Sequence, residues 1–223
     1  MLKKAVIWDM DGLMFDTQSV YNEAYIDIGR EEFGIRVPEE MLLALMGTSG
    51  EDMNRNVLRF FPEIDAPRFV RRSYDLMAER VKKDLRFKPG LVELLDYLRE
   101  QGYVMAIASG SERKVVEGNL ETSGLGDYFD DYLCGDEVVR GKPFPEIYER
   151  TAAKIGVLPS ACFVFEDSPN GLIAADRAGC TPVMVPDVVQ PTPEIRRICA
   201  GIYPSLHEVR AALADGSLRL RDR

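Results

Sequence analysis

Histidine is almost missing: His207 is the single one in 223 residues, and it lies near the C-terminus. Chemistry built on an imidazole base, and zinc sites that draw on histidine, are therefore poorly served. The four cysteines, Cys134, Cys162, Cys180 and Cys199, stand far apart and form no CxxC pair. That spacing speaks against a disulfide framework and reads as reduced, buried thiols of a cytoplasmic protein. Positive charge is in deficit, with 28 Lys and Arg against 37 Asp and Glu and a formal net charge of −9. Neither nucleic acid nor an anionic membrane surface is an expected partner for such a chain. An anionic substrate is still allowed, because a metal ion and one lysine can reverse the sign locally. No apolar run reaches the ~20 residues that a membrane-spanning helix needs. Asp9 and Asp11 interrupt the apolar stretch near the N-terminus, so no signal peptide is expected. Internal repeats and low-complexity segments are absent too, and no protein partner is evident.

What is present is strand–helix alternation. Ala5–Trp8, Tyr103–Ala108, Tyr132–Cys134, Cys162–Phe165 and Pro182–Val185 are short apolar runs that read as strands, with a weaker one at Ile202–Tyr203. Between them, Leu91, Leu94, Leu95 and Leu98 recur at helical spacing behind Pro89-Gly90, as do Val115, Val116 and Leu120, and Ile147, Ala152 and Ile155. Such alternation predicts an α/β fold, a doubly wound (Rossmann-like) parallel sheet covered by helices on both faces. From about Thr17 to Asp84 the alternation stops, leaving helical patterns at Tyr25–Ile28, Leu42–Met46 and Phe69–Met77. The expected organisation is a core of residues 1–15 and 86–223, with an all-helical cap of residues 16–85 inserted after the first strand. A lid of that kind excludes water and selects substrate.

Four motifs fall at the ends of the expected strands. Asp9-Met10-Asp11-Gly12 leaves the first strand with two carboxylates two residues apart and a glycine to turn the chain. Two acids at a buried strand tip call for a cation, a substrate or a shared proton. Asp9 reads as a nucleophile and Asp11 as its acid/base partner in phosphoryl transfer, although Asp and Gly also make ordinary turns. Ser109-Gly110-Ser111 follows the second strand, where Ser109 and the amides around Gly110 can bind phosphate, and where serine also caps helices. Lys142, in Gly141-Lys142-Pro143, is expected to open a helix, an unfavourable place for a cation unless an anion sits nearby. Glu166-Asp167 ends the fourth strand and offers hard oxygen ligands of the kind Mg²⁺ takes. Each motif alone has a bland explanation; four of them converging at one sheet edge do not.

These same residues carry a resemblance. Asp9-x-Asp11-Gly12, Ser109, Lys142 and Glu166-Asp167 resemble the four motifs of the haloacid dehalogenase-like superfamily, over nearly the whole chain. The helical insertion and the stretch Phe163–Gly171 resemble its phosphatase and phosphohexomutase branch, which includes β-phosphoglucomutase. The resemblance implies a Mg²⁺-dependent phosphatase working through an aspartyl-phosphate on Asp9. Its metal would be held by Asp9, the main-chain carbonyl of Asp11 and Asp167, with Glu166 orienting that group. Ser109 and Lys142 would stabilise the charge on the phosphoryl oxygens. A phosphoglucomutase-like enzyme should carry a histidine after the first motif and an arginine in the cap loop. Here Tyr21 stands near the first place, and the loop reads Gly47-Thr48-Ser49-Gly50. Losing that arginine removes a bidentate phosphate clamp, which favours hydrolysis over the mutase alternative. The expected substrate is a small phosphorylated metabolite, a sugar phosphate or a nucleoside-phosphate-like ester, with Tyr21, Met46 and Thr48 as cap contacts. A non-catalytic binding module is the remaining alternative, but it would be expected to have lost a nucleophile or a metal ligand.

Overall fold

The computed structural model describes residues 4–45, 50–83 and 85–221. Ala5–Trp8 forms β1, and all four of its side chains are fully buried although they alternate between two faces. Only a central strand covered on both sides produces such a run. The other strands are β2 (Val104–Ala108), β3 (Asp131–Leu133), β4 (Cys162–Glu166), β5 (Thr181–Met184) and β6 (Gly201–Ile202). They form one sheet in the order β3-β2-β1-β4-β5-β6, with every neighbouring pair parallel. The chain first builds outward through β2 and β3, then returns to the other side of β1. This reversal is the doubly wound topology, and it opens a crevice at the C-terminal ends of β1 and β4.

Helices close both faces. Ala5 and Ile7 of β1 pack with Ile147, Tyr148 and Ala152 of one helix (Glu146–Lys154) and with Ala174, Ala175 and Ala178 of the next (Pro169–Ala178). Val6 and Trp8 project to the opposite face, where the Trp8 ring meets Phe165 edge-on at 5.1 Å. The strands fall within one residue of their expected limits. Two local expectations are corrected. Lys142 does not open a helix but lies in a turn, four residues ahead of the helix that starts at Glu146. Its motif contains Pro143, and the chain runs through turn conformations before Pro145 sets the helix start. Cys199 is half-buried rather than buried, while Cys134, Cys162 and Cys180 are buried, and all four are free thiols.

Two compact units emerge, one of Met1–Asp16 with Arg86–Arg223 and one of Thr17–Leu85. The second contains α1 (Thr17–Glu32), α2 (Glu39–Leu45), α3 (Gly50–Phe60) and α4 (Ala66–Lys83). It has its own apolar core, in which Tyr25, Ile28, Met41, Met53, Val57 and Phe69 meet. Phe69 stacks on Tyr25 at 5.9 Å and takes the edge of Phe33 at 5.5 Å. Glu32 of α1 pairs with Arg72 of α4 at 2.7 Å. Among the described residues, no helix is long and apolar enough to cross a membrane.

Candidate active site

The β1–β4 ladder runs one residue past β1, because the Asp9 N–H donates to the Phe165 carbonyl at 3.0 Å. Asp9 therefore emerges beside Glu166 at the crevice. The chain turns sharply at Gly12, where φ is +84°, and the Gly12 N–H closes the turn on the Phe15 carbonyl at 3.0 Å. Glycine is required here on two counts. The backbone is left-handed, and an added Cβ would lie 2.5 Å from Asp167 Oδ2.

Lys142 bridges two carboxylates. Its Nζ donates to Asp9 Oδ1 at 2.5 Å and to Glu166 Oε1 at 2.7 Å, with its side chain only 11% exposed. Glu166 is fully buried and accepts three further hydrogen bonds. They come from the Tyr148 hydroxyl at 3.0 Å, the Ser168 N–H at 2.7 Å and the Ser168 hydroxyl at 2.9 Å. Four donors occupy the four lone-pair positions of a carboxylate, so Glu166 is anchored rather than open to a ligand. Ser168 also caps the following helix by accepting from the Gly171 N–H at 3.1 Å, and a Cβ on Gly171 would overlap the Glu166 carboxyl.

Asp11 lies on the other side of Asp9. Its Oδ2 accepts from the Ser111 hydroxyl at 2.7 Å and more distantly from Ser109 at 3.4 Å, while the Ser111 N–H donates to Ser109 Oγ at 3.0 Å. Ser109 is buried at the end of β2, and Gly110 beside it is exposed. Ser111, Tyr148, Lys88 and Asp187 are additions that sequence reasoning did not place. Ser111 belongs to Ser109-Gly110-Ser111, but nothing in that pattern aims it at Asp11. Tyr148 reads in the sequence as any helix core residue.

Oxygens of Asp9, Glu166 and Asp167 lie within 4.8 Å of one another, an arrangement that could hold a metal ion. Burial pushes the Asp9 carboxyl up to about 8, Lys142 opposes this, and Glu166 and Asp11 add to it. Burial, with Glu166 and Asp9, likewise holds Asp167 well above the usual carboxylate range. Burial works against the Glu166 charge as well, yet Lys142 and Ser168 keep that carboxyl below its ordinary range. One lysine does not neutralise this set, and hard oxygen donors short of positive charge fit a small divalent cation. Another group, Cys134, Asp136 and Glu137, also clusters, but Arg113 already pairs with Glu137 at 2.7 Å.

Tyr21 of α1 is half-buried and sets its ring edge-on to Tyr74 at 6.0 Å within the helical unit. Met46 and Thr48 lie outside the described residues.

Residues 6–185 match the family described as haloacid dehalogenase-like hydrolase. The phosphorylated carbohydrates phosphatase of Thermotoga maritima is 30% identical over 220 residues, covering 97% of this chain and 93% of that protein. Hexitol phosphatase B of Escherichia coli is 29% identical over 185 residues, covering 82% and 83%. A crystal structure of a HAD family hydrolase from Deinococcus radiodurans, with bound phosphate and sodium, superposes with a TM-score of 0.80 at 26% identity and covers 99% of each chain. With the family matched across both strand-end acid pairs and the turn that holds Lys142, the chain belongs to the haloacid dehalogenase-like hydrolases.

Proposed function

We propose that this chain hydrolyses a small phosphomonoester, a sugar phosphate or a nucleoside-phosphate-like ester, with Mg²⁺ and through an aspartyl-phosphate on Asp9. The chain is a phosphoric monoester hydrolase by its relatives, and the finer reading rests on one observation. Asp9 stands at the crevice between Lys142 and Asp11, with Asp167 within ligand distance of it.

In the first half-reaction an Asp9 carboxylate oxygen attacks phosphorus, and the bond from phosphorus to the ester oxygen breaks. Asp11 gives its proton to the departing alkoxide, which leaves as the alcohol. In the second, Asp11 takes a proton from water, the water oxygen attacks phosphorus, and the bond to Asp9 breaks to release phosphate. Ser111 and Ser109 orient the Asp11 carboxyl for both transfers. Lys142 and Ser109 supply positive charge and a hydroxyl to the phosphoryl oxygens. Asp9, the Asp11 main-chain carbonyl and Asp167 would hold Mg²⁺, whose positive charge offsets the repulsion between nucleophile and phosphate. Glu166, already saturated, orients Lys142 instead of binding the ion.

The helical unit, inserted straight after β1, would act as a cap that selects the substrate, with Tyr21, Met46 and Thr48 as candidate contacts. The deciding experiment is inorganic phosphate release from a panel of phosphomonoesters, with and without Mg²⁺, beside Asp9→Asn. Release that needs both Mg²⁺ and Asp9 is expected. If β-glucose 1-phosphate is instead isomerised to the 6-phosphate without net release, the chain is a phosphohexomutase and this reading is wrong.

A further inference from the structure

A salt bridge joins the segment before the helix Leu91–Glu100 to the loop after β5, and the mechanism above leaves it without a task. Lys88 Nζ donates to Asp187 Oδ1 at 2.7 Å, and the two side chains are only 17% and 16% exposed. Lys88 sits on a segment that runs back along the loop after β1. Its N–H donates to the Met14 carbonyl at 2.9 Å, and the Asp16 N–H donates to the Arg86 carbonyl at 2.9 Å. Phe15 and Phe87 form an antiparallel bridge there, their rings 5.8 Å apart. Asp187 stands three residues beyond the end of β5. β4 lies between β1 and β5 in the sheet, and Asp167 follows directly on its end. Both acids close on one point: a Cβ added to Gly12 would lie 2.5 Å from Asp167 Oδ2 and 3.4 Å from Asp187 Oδ2.

We infer that Lys88 and Asp187 are a positioning pair for the acidic group, fixing Asp167 against the Asp11–Gly12 turn and so raising its affinity for a divalent cation. The inference rests on the Mg²⁺ reading of Asp9 and Asp167. The pair is formally neutral, so it braces the turn with no net charge of its own, although its Asp187 carboxylate is one of the acids that push the Asp167 carboxyl up. Partners one layer outside a metal's ligands hold those ligands in place, and their removal weakens metal binding.

The test is titration calorimetry of Mg²⁺ into the full chain and into Asp187→Asn, Lys88→Met and the double variant, each checked for folding by circular dichroism. If the bridge positions Asp167, each single variant binds Mg²⁺ about tenfold more weakly. The double variant then binds no worse than either single one, because all three break one link. Lys88→Arg, which keeps a donor for Asp187, is expected to recover most of the affinity. Turnover at saturating Mg²⁺ should return toward the parent in every folded variant, a split that general loosening of the fold would not give. If charge alone matters, Lys88→Met tightens binding, Asp187→Asn weakens it and the double variant returns to the parent, and the positioning role is overturned. Parental affinity in Asp187→Asn overturns it as well, and that comparison stands even where Lys88→Met does not fold. Asp167→Asn separates the two layers of the inference. If it loses Mg²⁺ while the bridge variants do not, only the bridge is refuted; if it keeps Mg²⁺, the metal reading itself falls.

Discussion

Glu166 shows how costly the arrangement at the crevice is. It is a fully buried carboxylate, kept charged by Lys142, Tyr148 and two donors of Ser168. Breaking a buried charge network from one side leaves an unpaired group, which costs more than the intact pair contributes. Tyr148→Phe removes one donor and leaves Lys142 alone on Oε1, so a loss of about 1–2 kcal/mol is expected in urea unfolding. Unchanged stability would mean that Tyr148 packs without anchoring Glu166. The two acids of the first motif should part in function. Asp9→Asn is expected to abolish turnover and leave no phospho-enzyme in mass spectrometry. Asp11→Asn should slow turnover while still allowing some phosphorylation, because the carboxylate that attacks is intact. Equal loss of phospho-enzyme in both variants would refute that division of roles. At this scale the sequence reveals which residue types stand at the strand ends. It does not reveal Ser111, Tyr148, Lys88 or Asp187, whose parts arise only where segments distant in sequence meet. Asp11 and Ser111 are 100 residues apart, and Lys88 and Asp187 are 99 apart.

Elements were more legible than contacts, for a physical reason. A strand buried on both faces is apolar along most of its length, so β1, β4 and β5 stand out, with only Glu166 and Thr181 polar among their buried residues. The limits of β1 are as expected, while those of β4 and β5 slip by a residue because strand ends follow hydrogen bonding, which side-chain type does not encode. The turn before the helix at Glu146 departs from expectation for a related reason: by pattern Lys142 reads as a helix start, but its position answers to Asp9 and Glu166 across the crevice. Local ties of this sort are testable too. Glu137 Oε2 accepts from the Cys134 N–H at 3.0 Å and from Arg113 at 2.7 Å, anchoring the start of the helix Arg113–Ser123. Burial works against the Glu137 charge, but Arg113 and the Cys134 amide hold its carboxyl below the ordinary range. A carboxyl whose folded pKa is depressed contributes stability above its unfolded pKa, near ~4.3, and loses it as pH falls through the folded value. Glu137→Gln should therefore lower Tm at pH 7 and leave it close to the parent at pH 3. An equal loss at both pH values would show that shape, not charge, is what Glu137 supplies.

At the scale of the molecule, the sheet unit carries a site that works against its own stability. Asp9 and Asp167 are crowded with Glu166, and burial with neighbouring charge pushes both carboxyls up. An acid whose folded pKa lies above its unfolded value costs stability once pH rises past that unfolded value, near ~3.9 for aspartate. Without metal at pH 7 the native state must therefore hold these carboxyls protonated, whereas in the unfolded chain they ionise freely, and that difference is the cost. Asp167→Asn removes one of these acids and should raise the metal-free Tm above that of the parent. Added Mg²⁺ should reverse the order. At a concentration of 100 Kd a ligand confined to the native state adds about 2.7 kcal/mol, or roughly 5–10 °C in a chain of this size. The parent should gain that increment, and Asp167→Asn should gain little. Trp8, the single tryptophan, is fully buried in β1 and reports unfolding of the sheet unit by fluorescence. Crossed Tm values with and without Mg²⁺ would mean that Asp167 is retained for the ion at a cost to the empty fold. A metal-free Asp167→Asn no more stable than the parent would show that the crowding is already relieved within the chain, with Lys142 as the group to test next.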